Sequence, residues 1–225
     1  IGETKTLNYL TNEFKKLGVK PGNNGSYTQA VKLTEITPNN AALNIAGEDI
    51  AFKKNMVLSA HTPVTSVEVK DSELVFVGFG VNAPEYQWND YANIDVKGKT
   101  VVMLVNDPGF ESVDGKLFQG KTMTYYGRWT YKYEEAKRQG AAAALIVHET
   151  APASYPWSVV ENGWGGSKFT LASSDASTSS LKLEGWIDLA TATHLFKKAG
   201  QDFARLKASA LTQPTAIALN LPVNA

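Results

Sequence analysis

Two uninterrupted apolar runs, residues 100–105 (TVVMLV) and 141–147 (AAAALIV, followed by His148), bracket a single helical pattern. A strand with no alternation of apolar and polar residues is normally covered on both faces, so this chain must supply layers on either side of a sheet. Between the runs, residues 131–139 carry Glu134, Glu135, Ala136, Lys137 and Arg138, and Gly140 stops the pattern. Strand, crossover with a helix, strand is a βαβ unit with a parallel pair and a right-handed connection. Its first strand is separated from the helix by a long Gly-punctuated stretch that opens on the turn Asn106-Asp107-Pro108-Gly109. Long irregular loops of this kind often carry function.

The remaining pattern adds helices and short strands. Leu7, Leu10, Phe14 and Leu17 recur at helical spacing, predicting an amphipathic helix over 3–17 that begins abruptly. Residues 27–33 suit a strand, and several short strands are expected over 41–70. Residues 74–79 (LVFVGF) read as a strand rich in β-branched and aromatic residues. Residues 150–180 read as loop, including the Ser-rich tract 173–180. A strand over 181–187 is followed by two helices, 189–199 and 202–210, and by a strand-like tail over 216–223 that ends without an evident partner. The fold class is therefore mixed α/β.

Composition narrows the function classes. Among 225 residues, 22 basic and 22 acidic side chains cancel, which argues against nucleic acid as a partner. The longest apolar run has seven residues, whereas a membrane-spanning helix needs about twenty. A chain of this size with 43% hydrophobic residues can fold without metal or disulfide. With no cysteine, thiol catalysis and zinc–thiolate sites are excluded. Charge is nonetheless segregated: 71–115 holds eight acidic and two basic residues, 116–140 six basic and two acidic. Solvated faces explain most such segregation, including Glu134 with Glu135 and Asp90 with Asp95.

Catalytic signatures are scarce. His148-Glu149 begins like the HExxH zinc motif, but Pro152 stands where the second histidine belongs, and the preceding residues are strand-like. His61 is followed two residues on by Pro63 where a metal pair would need a carboxylate, and His194 reads as a surface or boundary residue. The sequence has no GxSxG nucleophile motif and no phosphate-binding glycine pattern. No catalytic residue and no metal ligand is assigned.

One segment is richer. Residues 123–133 (MTYYGRWTYKY) pack five aromatic rings around Arg128 and Lys132. Rings beside a guanidinium can stack on peptides, sugars or another protein surface. The plainer reading is that they cap the end of the βαβ sheet and fix its helix. Candidate binding residues are Tyr125, Tyr126, Arg128 and Trp129, with Trp157 and Trp164 extending the surface.

Residues 2–21 (GETKTLNYLTNEFKKLGVKP) resemble the entry helix of bacterial zinc aminopeptidases of metallopeptidase family 28. Residues 76–86 (FVGFGVNAPEY), with Trp88-Asn89-Asp90-Tyr91 and Asp95 to Lys99, resemble the protease-associated domain inserted in those enzymes, and 123–149 is similar to that domain's core. The resemblance implies a β-rich protease-associated domain over 71–187. It is preceded by a helix and strands over 1–70 and followed by 188–225, a helical segment and linker strand leading to a catalytic domain that this chain lacks. The family's two zinc ions are held by that catalytic domain, so no cofactor is expected in this chain. The implied partners are the catalytic domain of the same polypeptide and peptide substrate, and the implied location is periplasmic or extracellular. The expected role is non-catalytic, covering the active-site cleft and influencing peptide access. The alternative is a stand-alone module binding peptide, carbohydrate or protein; a hydrolase with an unrecognised site is the third class.

Overall fold

A computed structural model describes residues 1–113, 115–172 and 181–225, so the Ser-rich tract 173–180 lies outside the described residues. The chain forms two units, residues 1–34 with 170–172, and residues 35–169 with 173–225.

In the first unit, α1 (Gly2–Lys16) forms as the apolar spacing predicts. Its end is closed by Gly18 N–H on the Lys15 carbonyl and Val19 N–H on the Phe14 carbonyl, a Schellman-type stop. Leu7, Leu10 and Phe14 share one stripe and remain more than two-fifths exposed. The strand expected at 27–33 starts later, as β1 (Leu33–Ile36). Asn23 and Ser26 side chains donate to the Thr28 carbonyl, and Ser26 Oγ accepts from its N–H, so side chains occupy the groups a ladder would need.

The second unit is built on one sheet. Its elements follow in chain order as β2 (Asn44–Ile45), β3 (Glu48–Asp49), β4 (Met56–Ala60), β5 (Ser72–Phe76), β6 (Asn82–Ala83), β7 (Trp88–Asn89) and β8 (Thr100–Leu104). Then come α2 (Trp129–Arg138), β9 (Ala143–His148), α3 (Thr150–Ala153), α4 (Trp157–Trp164) and β10 (Lys168–Leu171). The chain closes with β11 (Leu183–Asp188), α5 (Leu189–Lys198), α6 (Phe203–Ala210) and β12 (Ile217–Asn224). Eight strands pair in the order β3-β2-β12-β5-β8-β9-β11-β4. The four from β5 to β11 are parallel, and the flanking pairs are antiparallel. The fold is mixed α/β, with the βαβ unit β8-α2-β9 at its centre.

Both faces of the parallel strands are covered, which is why their sequences show no alternation. Val101, Met103, Ala144 and Ile146 point to one face, where Tyr133 and Ala136 of α2 and Val160 and Trp164 of α4 meet them. Val102, Leu104, Leu145 and Val147 point to the other, covered by Leu195 and Phe196 of α5 and Phe203 of α6. Phe196 stands edge-on to Phe76 and to Phe203, each at 5.1 Å between ring centres.

Three expectations are corrected. Residues 64–69 form no strand. The loop read over 150–180 contains α3, α4 and the strand β10, because Pro156 caps a helix whose Val160 and Trp164 are buried against the sheet. The tail is not partnerless: β12 lies between β2 and β5, burying Leu219, Leu221 and Val223 in alternation.

Candidate functional site

In open parallel sheets the loops leaving the carboxyl ends of the strands form the usual binding edge. Here the loops after β5 and β8 and the first turn of α2 meet at that edge, held by a buried polar network. The Asp90 carboxylate accepts from the N–H groups of Phe79 (3.1 Å), Val81 (3.0 Å) and Thr215 (3.3 Å) and from Trp88 Nε1 (3.1 Å). Asp107 accepts from Thr124 N–H (3.1 Å), Thr124 Oγ1 (2.6 Å) and Gly109 N–H (3.1 Å). Lys132 on α2 is fully buried and donates to the Phe79 carbonyl.

Burial dominates the charges in this network. It pushes Lys132 down to about 7, against the pull of Asp90 and Asp107. It pushes Asp90 up to about 7, against the hydrogen bonds from Val81, Thr215 and Trp88 and the charge of Lys132. Asp107 is raised by the same cause. The expectation that Asp90 and the Glu134–Glu135 pair are solvated is corrected for two of them. Asp90 is buried, and Glu135 is buried against Arg138 and Gln139. A carboxylate loses its solvation on burial unless donors replace the water, and here donors do.

Gly127 brings the aromatic loop onto this network. A side chain there would stand 2.7 Å from Asn106 Oδ1 and 2.8 Å from Met123 Cγ. The six candidate binding residues then divide into two aromatic groups with Arg128 between them in sequence. Tyr125 and Tyr126 both stand edge-on to Tyr131, and Tyr126 also meets Tyr86 and Phe118. Their hydroxyls donate to Glu134 and Glu85, which raises both phenols, Tyr126 to about 12. Trp129 stands edge-on to Trp164 at 5.5 Å, and Trp164 meets Trp186 at 6.4 Å. Trp157 joins through His148, whose ring is 5.6 Å from Trp157 and 6.2 Å from Trp186. Trp157 Nε1 donates to the Lys53 carbonyl, and Lys168 Nζ lies 3.0 Å above the Trp164 ring. Arg128 is exposed and, among the described residues, its guanidinium makes no ion pair or hydrogen bond.

A cleft of about 300 Å³ opens beside Arg128 and Trp129, lined also by Val105, Met123, Tyr155 and Trp186. Trp186 and Tyr155 were not legible as site residues. Trp186 occupies the face of β11 opposite Leu183 and Ile187, a parity visible only once the strand register is known. A larger depression of about 720 Å³ runs along α5 and α6, but its Lys207 and Glu149 already pair at 2.7 Å.

The three histidines are dispersed. His61 Nδ1 meets Glu184 at 2.6 Å, His148 Nε2 meets the Tyr155 carbonyl at 3.0 Å, and His194 Nε2 meets Glu48 at 2.8 Å. Burial lowers His148. Among the described residues no three His, Cys, Asp or Glu side chains are grouped to hold a metal ion. No described helix is long and apolar enough to cross a membrane.

Comparison with solved structures gives loose likenesses, of which one is as follows. An aminopeptidase from Aneurinibacillus sp. strain AM-1 matches 98% of this chain at 19% identity and a TM-score of 0.39. The chain spans 39% of that protein's length. No family model matches the sequence, and no curated protein does.

Proposed function

We propose that this chain is the non-catalytic, protease-associated region of a zinc aminopeptidase, and that its aromatic edge faces peptide. The observation that carries the reading is the Arg128 guanidinium, unpaired among the described residues and set beside exposed rings at the carboxyl edge of a parallel sheet. A peptide offers carbonyls and carboxylates to the guanidinium and apolar side chains to the rings. The motif runs at 76–91 and 123–149 point to the protease-associated domain, spanning 71–187 between the segments 1–70 and 188–225. In this reading the catalytic domain of the same polypeptide is the partner, and the protein works in the periplasm or outside the cell.

Two zinc ions belong to the catalytic domain in this reading. The residues present here do not fit such a pair, because the three histidines are each engaged elsewhere. No chemical step is therefore assigned to this chain; restricting access is steric.

Hydrolysis of a panel of chromogenic aminoacyl substrates by this chain, with and without zinc, tests the non-catalytic part. No turnover is expected, and zinc-dependent turnover abolished by a chelator would refute it. In the full-length enzyme, Arg128→Ala and Trp129→Ala should change the preference among peptide lengths without changing zinc content. Unchanged kinetics across the lengths would remove the access role.

A further inference from the structure

The last strand of the large sheet carries backbone groups that the chain does not pair. β4 ends the strand order, and β11 is its one partner in the sheet. The Asn55 carbonyl accepts from Asp188 N–H, and His61 N–H donates to the Lys182 carbonyl, which turns the backbone of 55, 57, 59 and 61 towards β11. Met56, Leu58 and Ala60 therefore direct their N–H and carbonyl groups to the opposite side. At Met56 the chain supplies both partners, Lys53 N–H and the Ala51 carbonyl. At Leu58 and Ala60 it does not. The Leu58 N–H, the Leu58 carbonyl and the Ala60 N–H have no partner among the described residues, and the Ala60 carbonyl has the Ser59 hydroxyl at 3.3 Å. Backbone groups of an interior strand are normally paired, so this edge is one ladder short of complete.

A second observation is the space beside it. Leu58, Ser59 and Ala60 line a cavity of about 430 Å³ whose walls are residues 36–42 and 64–67. Ala60 is partly exposed, so the edge is reachable from that end. The N–H groups of 64–67 also have no acceptor among the described residues. No Asp, Glu, Lys, Arg or His side chain lines the cavity. Exposed sheet edges are usually blunted by charge, by proline or by a covering segment. Here the guard is the pair of walls, which stand off far enough to leave a groove. A second copy would have to bring its own β4 past the same walls, whereas a single extended segment carries none.

We propose that the groove along β4 is a strand-addition site that takes an extended peptide segment with small, uncharged side chains. Leu58 and Ala60 each offer a donor and an acceptor to the backbone of the segment, while Val57 and Ser59 remain bonded to β11. At about 3.4 Å per residue, the free stretch from Leu58 to Ala60 pairs with three residues of an added strand. The volume lies within the range of about 300–1,000 Å³ common to ligand sites. Ala41, Ala42 and Val67 among the lining residues favour small apolar side chains, and the absence of a charged side chain leaves a charge on the segment without a partner.

The groove shares no lining residue with the cleft beside Arg128, so the inference does not rest on the reading of the aromatic edge.

The test is titration of the intact chain with the blocked peptide N-acetyl-Thr-Ala-Val-Ala-Thr-amide, read by calorimetry and by residue-resolved amide exchange. The peptide should bind saturably at millimolar concentration. At saturation, exchange at Leu58 and Ala60 should slow at least tenfold, while Val57 and Ser59, already bonded to β11, keep their rates. The same peptide N-methylated at its three central residues should bind at least tenfold more weakly, and so should one with aspartate or lysine at its centre. Thr65→Trp puts a large ring on an exposed wall position and should weaken the peptide about tenfold with an unchanged thermal midpoint. No saturable binding, equal binding of the N-methylated peptide, wild-type affinity in a folded Thr65→Trp, or slowing at Val57 and Ser59 without Leu58 and Ala60 would each overturn the proposal. Protection of Leu58 and Ala60 in a peptide-free chain that sediments as a dimer would overturn its occupant, a second copy holding the edge instead.

Discussion

Replacing Lys132 by methionine tests whether burial, rather than pairing, governs the network that positions the site. The Lys132 side chain is fully buried, and no carboxylate oxygen lies within 4.0 Å of its Nζ among the described residues. Burial lowers it from an ordinary 10.5 to about 7, with Asp90 and Asp107 opposing the shift from a distance. A cationic acid whose folded pKa is depressed holds fewer protons folded than unfolded between those two values. Stability therefore rises with pH from about 7 towards 10.5. Integrated from pH 7 to pH 9, that linkage is worth about 2 kcal/mol. Methionine keeps the length and apolar stem but cannot titrate. Asp90 loses a nearby cation in the variant, so its pKa climbs further, and its own contribution then falls with pH. Both effects widen the gap in the same direction. Urea unfolding of wild type and Lys132→Met at pH 7 and pH 9 should show the wild type gaining about 2 kcal/mol on the variant. In a domain of this size that corresponds to about 4–8 °C in relative thermal midpoint. Parallel stability profiles across the two pH values would show that Lys132 keeps an ordinary pKa, and the burial argument would fail.

Two further perturbations test the sheet that carries the site. Phe196→Ala removes a fully buried ring that stands edge-on to Phe76 and Phe203, and should cost about 3–5 kcal/mol in urea unfolding. A loss below about 1 kcal/mol would mean that α5 does not pack there as described. Gly185→Ala puts a methyl group 2.2 Å from the Val57 carbonyl on the neighbouring strand, and should destabilise by about 3 kcal/mol. Because β4 must move away, amide exchange should accelerate in 56–60 before 143–147, and uniform exchange across both strands would contradict the register.

The centre of the fold was legible because burial on both faces leaves a simple mark. Residues 100–105 and 141–147 admit few readings other than interior strands, and Glu134 to Gln139 with Gly140 admit little but a crossover helix. The position of β12 was not legible. Pro222 interrupts its apolar run, and only the pairing with β5, with its register shift between Ala218 and Pro222, gives that strand an interior place. The buried charges were hidden for a related reason. Asp90 reads from sequence as solvated and Lys132 as one cation of an aromatic run, and only converging loops that offer backbone donors to Asp90 and the Phe79 carbonyl to Lys132 make their burial tolerable. The aromatic run 123–133 was visible as chemistry. Its division into two groups, and the arrival of Trp186 and Tyr155 from distant positions in the chain, depend on strand order and could not be read locally.

The most direct test of a peptide-facing edge uses the five tryptophans as reporters in a ¹⁵N–¹H NMR titration with an unblocked tetrapeptide ending in phenylalanine. Trp129 and Trp186 line the cleft, whereas Trp88 Nε1 is bonded to buried Asp90 within the network. The account predicts saturable shifts of the Trp129 and Trp186 indole signals at millimolar peptide, with the Trp88 signal unmoved. Indole signals that all stay in place, or a shift of Trp88 without Trp129 and Trp186, would contradict it.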